Sequence, residues 1–558
     1  MLHFHSDNYN LNIITMLILF IKLFNSGLLN TICMKFVNEQ TYESFLYKGQ
    51  ENKFHKKFDN SIEMLKKEIG GNNVFPIIID NKKIFTKSKY KHISPVDRRM
   101  ILGYISRTTS VEVNKAIDSS YLAFEKWRNV DYRERIEVLK KAVKDISHRK
   151  FELAALLTLE NGKNRYEAFA DVDEAIDFIN YYCFEIKMNN GFKAKNLVSK
   201  KHEKNISVMK PYGVWGIISP FNFPAAIFVG MTIGAIITGN TAVVKPASNT
   251  PIIGYKIVEI LLRAGLPPGV LNFITGEGRE IGDFIVYNKK ISGIVFTGSK
   301  YVGNHILQES SKIASRPVIA ELGGKNPTIV TESADLDKAV NGIAKAAFSY
   351  SGQKCSACSR VYVHKKVKQV FLNKLIKHVE KIQVSNPIHR NSDIGPVISS
   401  EAYANFKRYI KNVSKKGKIL YGGSIIEEGD LKYGYYVQPT IVDGISENNV
   451  LIKKELFLPI LCINEFNNFE QALDLANSSE YGLTAGIYSK NKNEVDVFLR
   501  NIESGVLYIN REKSATTGAM VGQQSFGGWK NSGTSGKGTG GRYYLSQFMR
   551  EQSQTMVS

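Results

Sequence analysis

Between residues 214 and 313 the chain switches repeatedly between a short apolar run and an amphipathic stretch. The runs 214–219, 241–245, 270–274 and 291–297 are short and mostly apolar. They read as strands buried on both faces. The stretches that follow them, 225–238, 251–264, 280–287 and 301–313, read as helices. Strands that alternate with helices are joined by crossovers, so the sheet is parallel. This predicts an α/β fold, doubly wound, of the type that binds dinucleotides. The pattern restarts after Gly324, with a strand at 328–330, a helix at 336–351 and a strand at 360–363. Upstream, the spacing predicts helices at 60–69, 111–127, 133–159 and 165–183, a strand at 74–80, and Ser110 as an N-cap.

At 558 residues the chain exceeds one compact core, so two or three domains are expected. Its five cysteines, Cys33, Cys183, Cys355, Cys358 and Cys462, make no disulfide framework and point to a reducing, cytoplasmic compartment. The formal charge of +22 is open to a nucleic-acid reading. The lysines are scattered rather than gathered into a basic, aromatic stripe, which favours a solvated surface and no nucleic-acid partner. Residues 16–24, MLILFIKLF, are too short for a membrane span, so no membrane partner is expected.

Three stretches carry chemistry. SGQKCSACSR, 351–360, places Cys355 just before an apolar β-branched run. Glu321 opens ELGGK, thirty-four residues earlier, and Asn222 sits between aromatics in PFNFP. Singly, each has a bland reading: a buried thiol, a solvated turn, a turn-forming amide. Together they supply what attack on a carbonyl requires, namely a nucleophile, a base and an oxyanion donor. Cys355 and Cys358 also form a CxxC, but no second CxxC or paired histidine accompanies it, so no metal site is expected. An oxidation-sensitive pair remains a second reading of these two thiols.

In this order and spacing the three stretches resemble the aldehyde dehydrogenase superfamily, from about Met34 to the C-terminus. The resemblance implies a Rossmann-type NAD-binding domain (34–190 and 210–323), an α/β catalytic domain (324–531) and a small β oligomerisation flap (191–209 and 532–558). Residues 1–33 have no counterpart and are expected to be disordered or not translated. The tail is expected to pair with a neighbouring subunit's sheet, giving at least a homodimer. Ser219, Lys245, Ser248, Gly278, Gly298, Ser299, Glu455 and Phe457 would contact NAD. Ser248 stands where NAD-specific members often carry Glu, so NADP is expected to be tolerated. Leu458 replaces a usual Gly, which leaves the backbone placement there open. Cys355 would be the nucleophile, Asn222 and the Cys355 N–H the oxyanion hole, and Glu321 the base. A Glu174–Lys354 pair is implied as well.

QKCSA and residues 510–541 resemble the glutamate-semialdehyde, or 1-pyrroline-5-carboxylate, dehydrogenases within that superfamily. This implies that Ser356, Gly518 and Ala519 hold a substrate carboxylate. Phe223 and Phe526 would pack on its aliphatic stem. The implied reaction is oxidation of L-glutamate γ-semialdehyde in proline breakdown. A broader aldehyde dehydrogenase or a succinate-semialdehyde dehydrogenase is the alternative. A cationic clamp from Arg360 or Arg511 would favour succinate semialdehyde. A non-enzymatic structural or RNA-binding member is a further reading, which the presence of both thiol and base weighs against.

Overall fold

The structure is a computed structural model that describes residues 41–197, 202–413 and 417–557. The expectation for residues 1–33 lies outside these. Two seven-stranded sheets dominate. In the first, five parallel strands run Val318–Glu321, Ile291–Thr297, Val214–Ile218, Thr241–Lys245, Leu271–Phe273, and two antiparallel ones, Ile77–Ile79 and Lys82–Ile84, extend the edge. Strand order reverses between Val214–Ile218 and Ile291–Thr297. The loops leaving those two strands diverge there and open a crevice at the carboxyl edge, the usual ligand position in such sheets.

The second sheet runs Lys418–Tyr421, Thr440–Asp443, Ile460–Phe466, Cys358–His364, Asn326–Val330, Thr484–Tyr488, Val506–Ile509. All its pairings are parallel except the first. The central strand is the one that Cys355 leads into. The chain passes from one sheet to the other through residues 322–325, so ELGGK links the two sheets. The Ala226–Ile237 helix is apolar on every face and almost entirely buried. It packs against the long helix Arg165–Met188, which brings acidic side chains close to the crevice.

Several local expectations need correction. The helix Ser110–Trp127 is capped by Thr109, whose backbone and hydroxyl engage Glu112 in a capping box. Glu112 lies three residues after Thr109, which places the cap there rather than at Ser110. The pattern over 133–159 is two helices, Tyr132–His148 and Lys150–Asn161, broken at Arg149. The first predicted helix starts earlier, at Glu51, because Phe54 and Phe58 bury against an aromatic cluster with Phe151 and Phe169.

The C-terminal strand Met549–Val557 pairs antiparallel with Glu203–Pro211 of the same chain, from Met549 opposite Pro211 to Val557 opposite Glu203. The strand thus has one pairing partner within its own chain. Among the described residues, no strand pairs with its other edge.

Candidate active site

The backbone before Cys355 is left-handed at three successive residues, with φ of 50° at Tyr350, 53° at Ser351 and 67° at Gly352. Each such non-glycine residue costs about 1–3 kcal/mol, so the surroundings must hold it. Buried hydrogen bonds do so. Tyr350 Oη donates to Asn161 O at 3.1 Å, Ser351 Oγ to Gly395 O at 2.7 Å, and Gln353 Oε1 accepts from Ile398 N–H at 2.8 Å. Gly352 has no room for a side chain, since a Cβ would lie 2.5 Å from Leu458 O. The turn closes with Ala357 N–H on Lys354 O at 3.0 Å.

Cys355 thus projects from a rigid turn into a cavity of about 220 Å³. Burial pushes its thiol up, and the carboxyls of Glu455 and Glu321 add to this, while the N–H groups of Ser356 and Cys355 oppose it. Glu321 ends the Val318–Glu321 strand and lines the same cavity. Burial holds its carboxyl well above the usual range, with the Gly528 N–H acting against that. A carboxyl whose proton affinity is raised by burial is a stronger base and so is suited to taking a proton from water. Ser356, Gly518, Ala519, Phe223 and Phe526 line this cavity too. Asn222 is buried on the turn just before Phe223 and does not itself line the cavity.

Two expected pairings come out differently. Lys354 pairs with Glu167, Nζ to Oε1 at 3.1 Å, rather than with Glu174. Glu174 lies two turns further along the helix and faces the cavity. Burial and then Asp171 push its carboxyl up to about 8. Neither candidate arginine is a free clamp. Arg360 is buried and donates to the carbonyls of Lys325, Leu475 and Ala476. Arg511 donates to the carbonyls of Thr517 and Gly518 and so braces the Gly518–Ala519 loop from outside.

The cofactor candidates gather at the carboxyl edge of the first sheet. Ser219 follows the Val214–Ile218 strand, and its N–H donates to Lys245 O at 3.1 Å. Lys245 is buried, donates to Pro246 O at 2.9 Å, and is lowered by burial to about 8. Ser248 Oγ reaches Gly276 O at 3.5 Å. Gly298 N–H donates to Glu321 O at 3.1 Å, and Ser299 caps the helix Lys300–Ile313 through Val302 N–H. Gly278 begins the helix Gly278–Val286, with open space where a side chain would be. Two exposed helix starts at the same sheet edge as a buried lysine suit a dinucleotide phosphate.

Glu455 accepts from Gly324 N–H at 3.0 Å, and its carboxyl is raised to about 7, chiefly by burial. Phe457 packs edge-on against Phe221 at 5.6 Å. The left-handed φ near the altered Gly position falls on Phe457, at 57°, so Leu458 is not the strained residue.

The model of the aldehyde dehydrogenase family matches residues 84–554. The chain belongs to this family. A curated relative, 1-pyrroline-5-carboxylate dehydrogenase 1 of Halalkalibacterium halodurans, is 39% identical over 89% of this chain and 95% of its own. 1-pyrroline-5-carboxylate dehydrogenase 2 of Bacillus subtilis is 38% identical over 88% and 96%. Among solved structures, Thermus 1-pyrroline-5-carboxylate dehydrogenase with bound NAD superposes with a TM-score of 0.86, at 34% identity, over 90% of this chain and 96% of that one. Betaine aldehyde dehydrogenase of Staphylococcus aureus in complex with NAD+ follows at a TM-score of 0.83 and 27% identity, over 88% and 95%. The chain thus shares the fold of that family.

The sequence reading passed over Glu167, Lys163, Asp171 and Asn326. Lys163 and Asp171 form a fully buried pair at 2.7 Å, with the lysine ammonium 4.0 Å from the Phe223 ring. Asn326 follows directly on ELGGK, and an asparagine opening a buried strand is unusual enough to have been a signal.

Proposed function

We propose that this chain oxidises L-glutamate γ-semialdehyde, the open form of 1-pyrroline-5-carboxylate, to L-glutamate with NAD. The observation that carries the reading is that Ser356, Gly518 and Ala519 share one small cavity with Cys355 and Glu321. Small residues let a carboxylate approach backbone N–H groups closely. The names of the relatives support the same substrate.

Cys355, as thiolate, adds to the aldehyde carbon. The Cys355 N–H meets the oxyanion that forms, and the Asn222 amide, buried just before Phe223, would join it if its side chain turned toward the cavity. NAD, when bound, would supply the acceptor for the hydride whose loss from that carbon leaves a thioester on Cys355. Lys245, Gly298, Ser299, Glu455 and Phe457 would hold the cofactor against the crevice. Glu321 then takes a proton from water as it attacks the thioester, releasing glutamate and the thiol. Phe223 and Phe526 bound the aliphatic stem. We assign the first sheet and its helices to cofactor binding and the second to catalysis, in a cytoplasmic enzyme.

No carboxylate at Ser248 repels a 2′-phosphate, so NADP should support turnover at millimolar concentration. Complete inactivity with NADP would count against that argument. The outer edge of Met549–Val557 supports at least a homodimer, because a bare nine-residue edge invites pairing. Light scattering that finds a stable monomer at micromolar concentration would contradict it.

The substrate test is a panel of aldehydes compared by kcat/KM. Glutamate semialdehyde should exceed propanal and succinate semialdehyde by at least about tenfold, since each lost polar contact costs on the order of 1–3 kcal/mol. A flat profile would sink the substrate while leaving the dehydrogenase intact.

A further inference from the structure

Three successive carbonyls of the nucleophile turn are each taken by a side chain. Asn326 Nδ2 donates to Cys355 O at 2.7 Å and to Ala357 O at 2.9 Å, and Thr516 Oγ1 donates to Ser356 O at 2.6 Å. We propose that Asn326 and Thr516 are positioning residues that fix the peptide planes of this turn, so that the N–H groups of Cys355 and Ser356 face the reacting sulfur. The proposal rests on Cys355 being the nucleophile.

The geometry gives these two residues little freedom. Asn326 is 1% exposed and Thr516 is 0% exposed. The Asn326 amide is fully engaged, since its Oδ1 accepts from Thr484 N–H at 3.0 Å. That bond ties the turn to a neighbouring strand of the same sheet. The peptide bond is planar and trans, so pinning the Cys355 carbonyl on one side aims the Ser356 N–H to the other. Pinning the Ser356 carbonyl likewise sets the Ala357 N–H, which holds Lys354 O at 3.0 Å and with it the peptide plane that carries the Cys355 N–H. Those N–H groups are the ones that lower the cost of the thiolate against burial and the nearby carboxyls. Donors already aimed when charge forms need no reorganisation, and removing one such donor typically costs about 10²–10³ in kcat.

Thr516 adds a link the amide lacks. It lies two residues before Gly518, in the loop proposed to hold the substrate carboxylate. Ser514 Oγ and Thr517 N–H are bonded within the same loop at 3.1 Å. The hydroxyl of Thr516 therefore joins the carboxylate loop to the nucleophile turn through a single bond.

The test uses Asn326→Asp, Thr516→Val and Thr516→Ser in the full chain. Asp keeps the acceptor for Thr484 but sets an oxygen against two carbonyls. Val keeps the shape of Thr without its donor, and Ser restores the hydroxyl. Two readouts are taken: kcat with saturating NAD, and the pH dependence of iodoacetamide alkylation of Cys355, followed by peptide mass spectrometry. The alkylation requires no aldehyde, so an incorrect substrate assignment leaves it unaffected. Cys355→Ala tests the nucleophile itself separately.

We expect kcat to fall about 10- to 100-fold in Asn326→Asp and about tenfold in Thr516→Val, with KM for NAD within about threefold. The alkylation midpoint should move to higher pH in both, and Thr516→Ser should stay near the parent in both readouts. Folding is checked by thermal melting, and if the Asp variant does not fold, Thr516→Val and Thr516→Ser decide. Folded variants with parental kcat and an unmoved alkylation midpoint would overturn the proposal. So would a Thr516→Ser variant as impaired as Thr516→Val.

Discussion

Replacing Gly324 by Ala tests the turn from its other side. A Cβ at Gly324 would lie 2.5 Å from Cys355 O, 2.7 Å from Asn326 Oδ1 and 2.9 Å from Asn326 Nδ2. Ordinary contact begins near 3.4 Å, so the carbonyl would have to retreat by about 0.9 Å. It cannot yield as a flexible side chain would, because it is backbone, already bonded to Asn326, and three residues before the strand Cys358–His364. A displacement of about 1 Å at the reacting group costs on the order of 10²-fold in rate. Overpacking of this kind costs about 1–3 kcal/mol in stability. The expected result is a folded enzyme with kcat down about 100-fold, measured as NADH formation at saturating substrates, and a modestly lowered melting temperature. Gly282→Ala is the control. It lies inside the helix Gly278–Val286 with nothing within 4 Å of its would-be Cβ. It should leave kcat alone and add about 0.5–1 kcal/mol of stability. A Gly324→Ala enzyme with parental kcat would refute the view that the turn is rigidly placed.

Cys355→Ala should abolish dehydrogenase activity and leave NAD binding intact by fluorescence titration. Cys358→Ala should keep most activity, because that thiol is buried against Thr328 Oγ1 at 3.2 Å; the reverse pattern would move the nucleophile. Asp171→Asn should lower stability in denaturant by about 3–5 kcal/mol, since it leaves the buried ammonium of Lys163 without its counter-charge. A change below about 1 kcal/mol would show that the pair is dispensable. Glu174→Gln should be neutral for stability near pH 4 and increasingly stabilising as pH rises to about 8. The sign follows from the raised carboxyl: an unfolded chain ionises it first, so the native state loses stability across that window, and Gln does not. Melting curves against pH with a constant difference between the two proteins would reject this.

Much of the fold is legible in the chain because burial on both faces leaves a local mark. Thr241–Lys245 and Ile291–Thr297 are strands to the residue, since β-branched runs of that length have little alternative once helices flank them. The same locality explains why Cys355, Glu321 and the Gly518–Ala519 segment stand out: each sits on or next to a turn whose small residues are visible in a few consecutive letters. What the tertiary structure alone decided is which groups meet. Glu167 and Glu174 differ by seven positions and so share one helix face, and only the packing of Arg165–Met188 determines that Lys354 reaches the first and the cavity the second. Asn326 meets Thr484 across 158 residues, and Thr516 meets Ser356 across 160. The C-terminal strand pairs with Glu203–Pro211 through contacts more than twice as distant in the chain. Such hydrogen bonds depend on where two separately folded segments come to lie, and no periodicity within either segment encodes that distance.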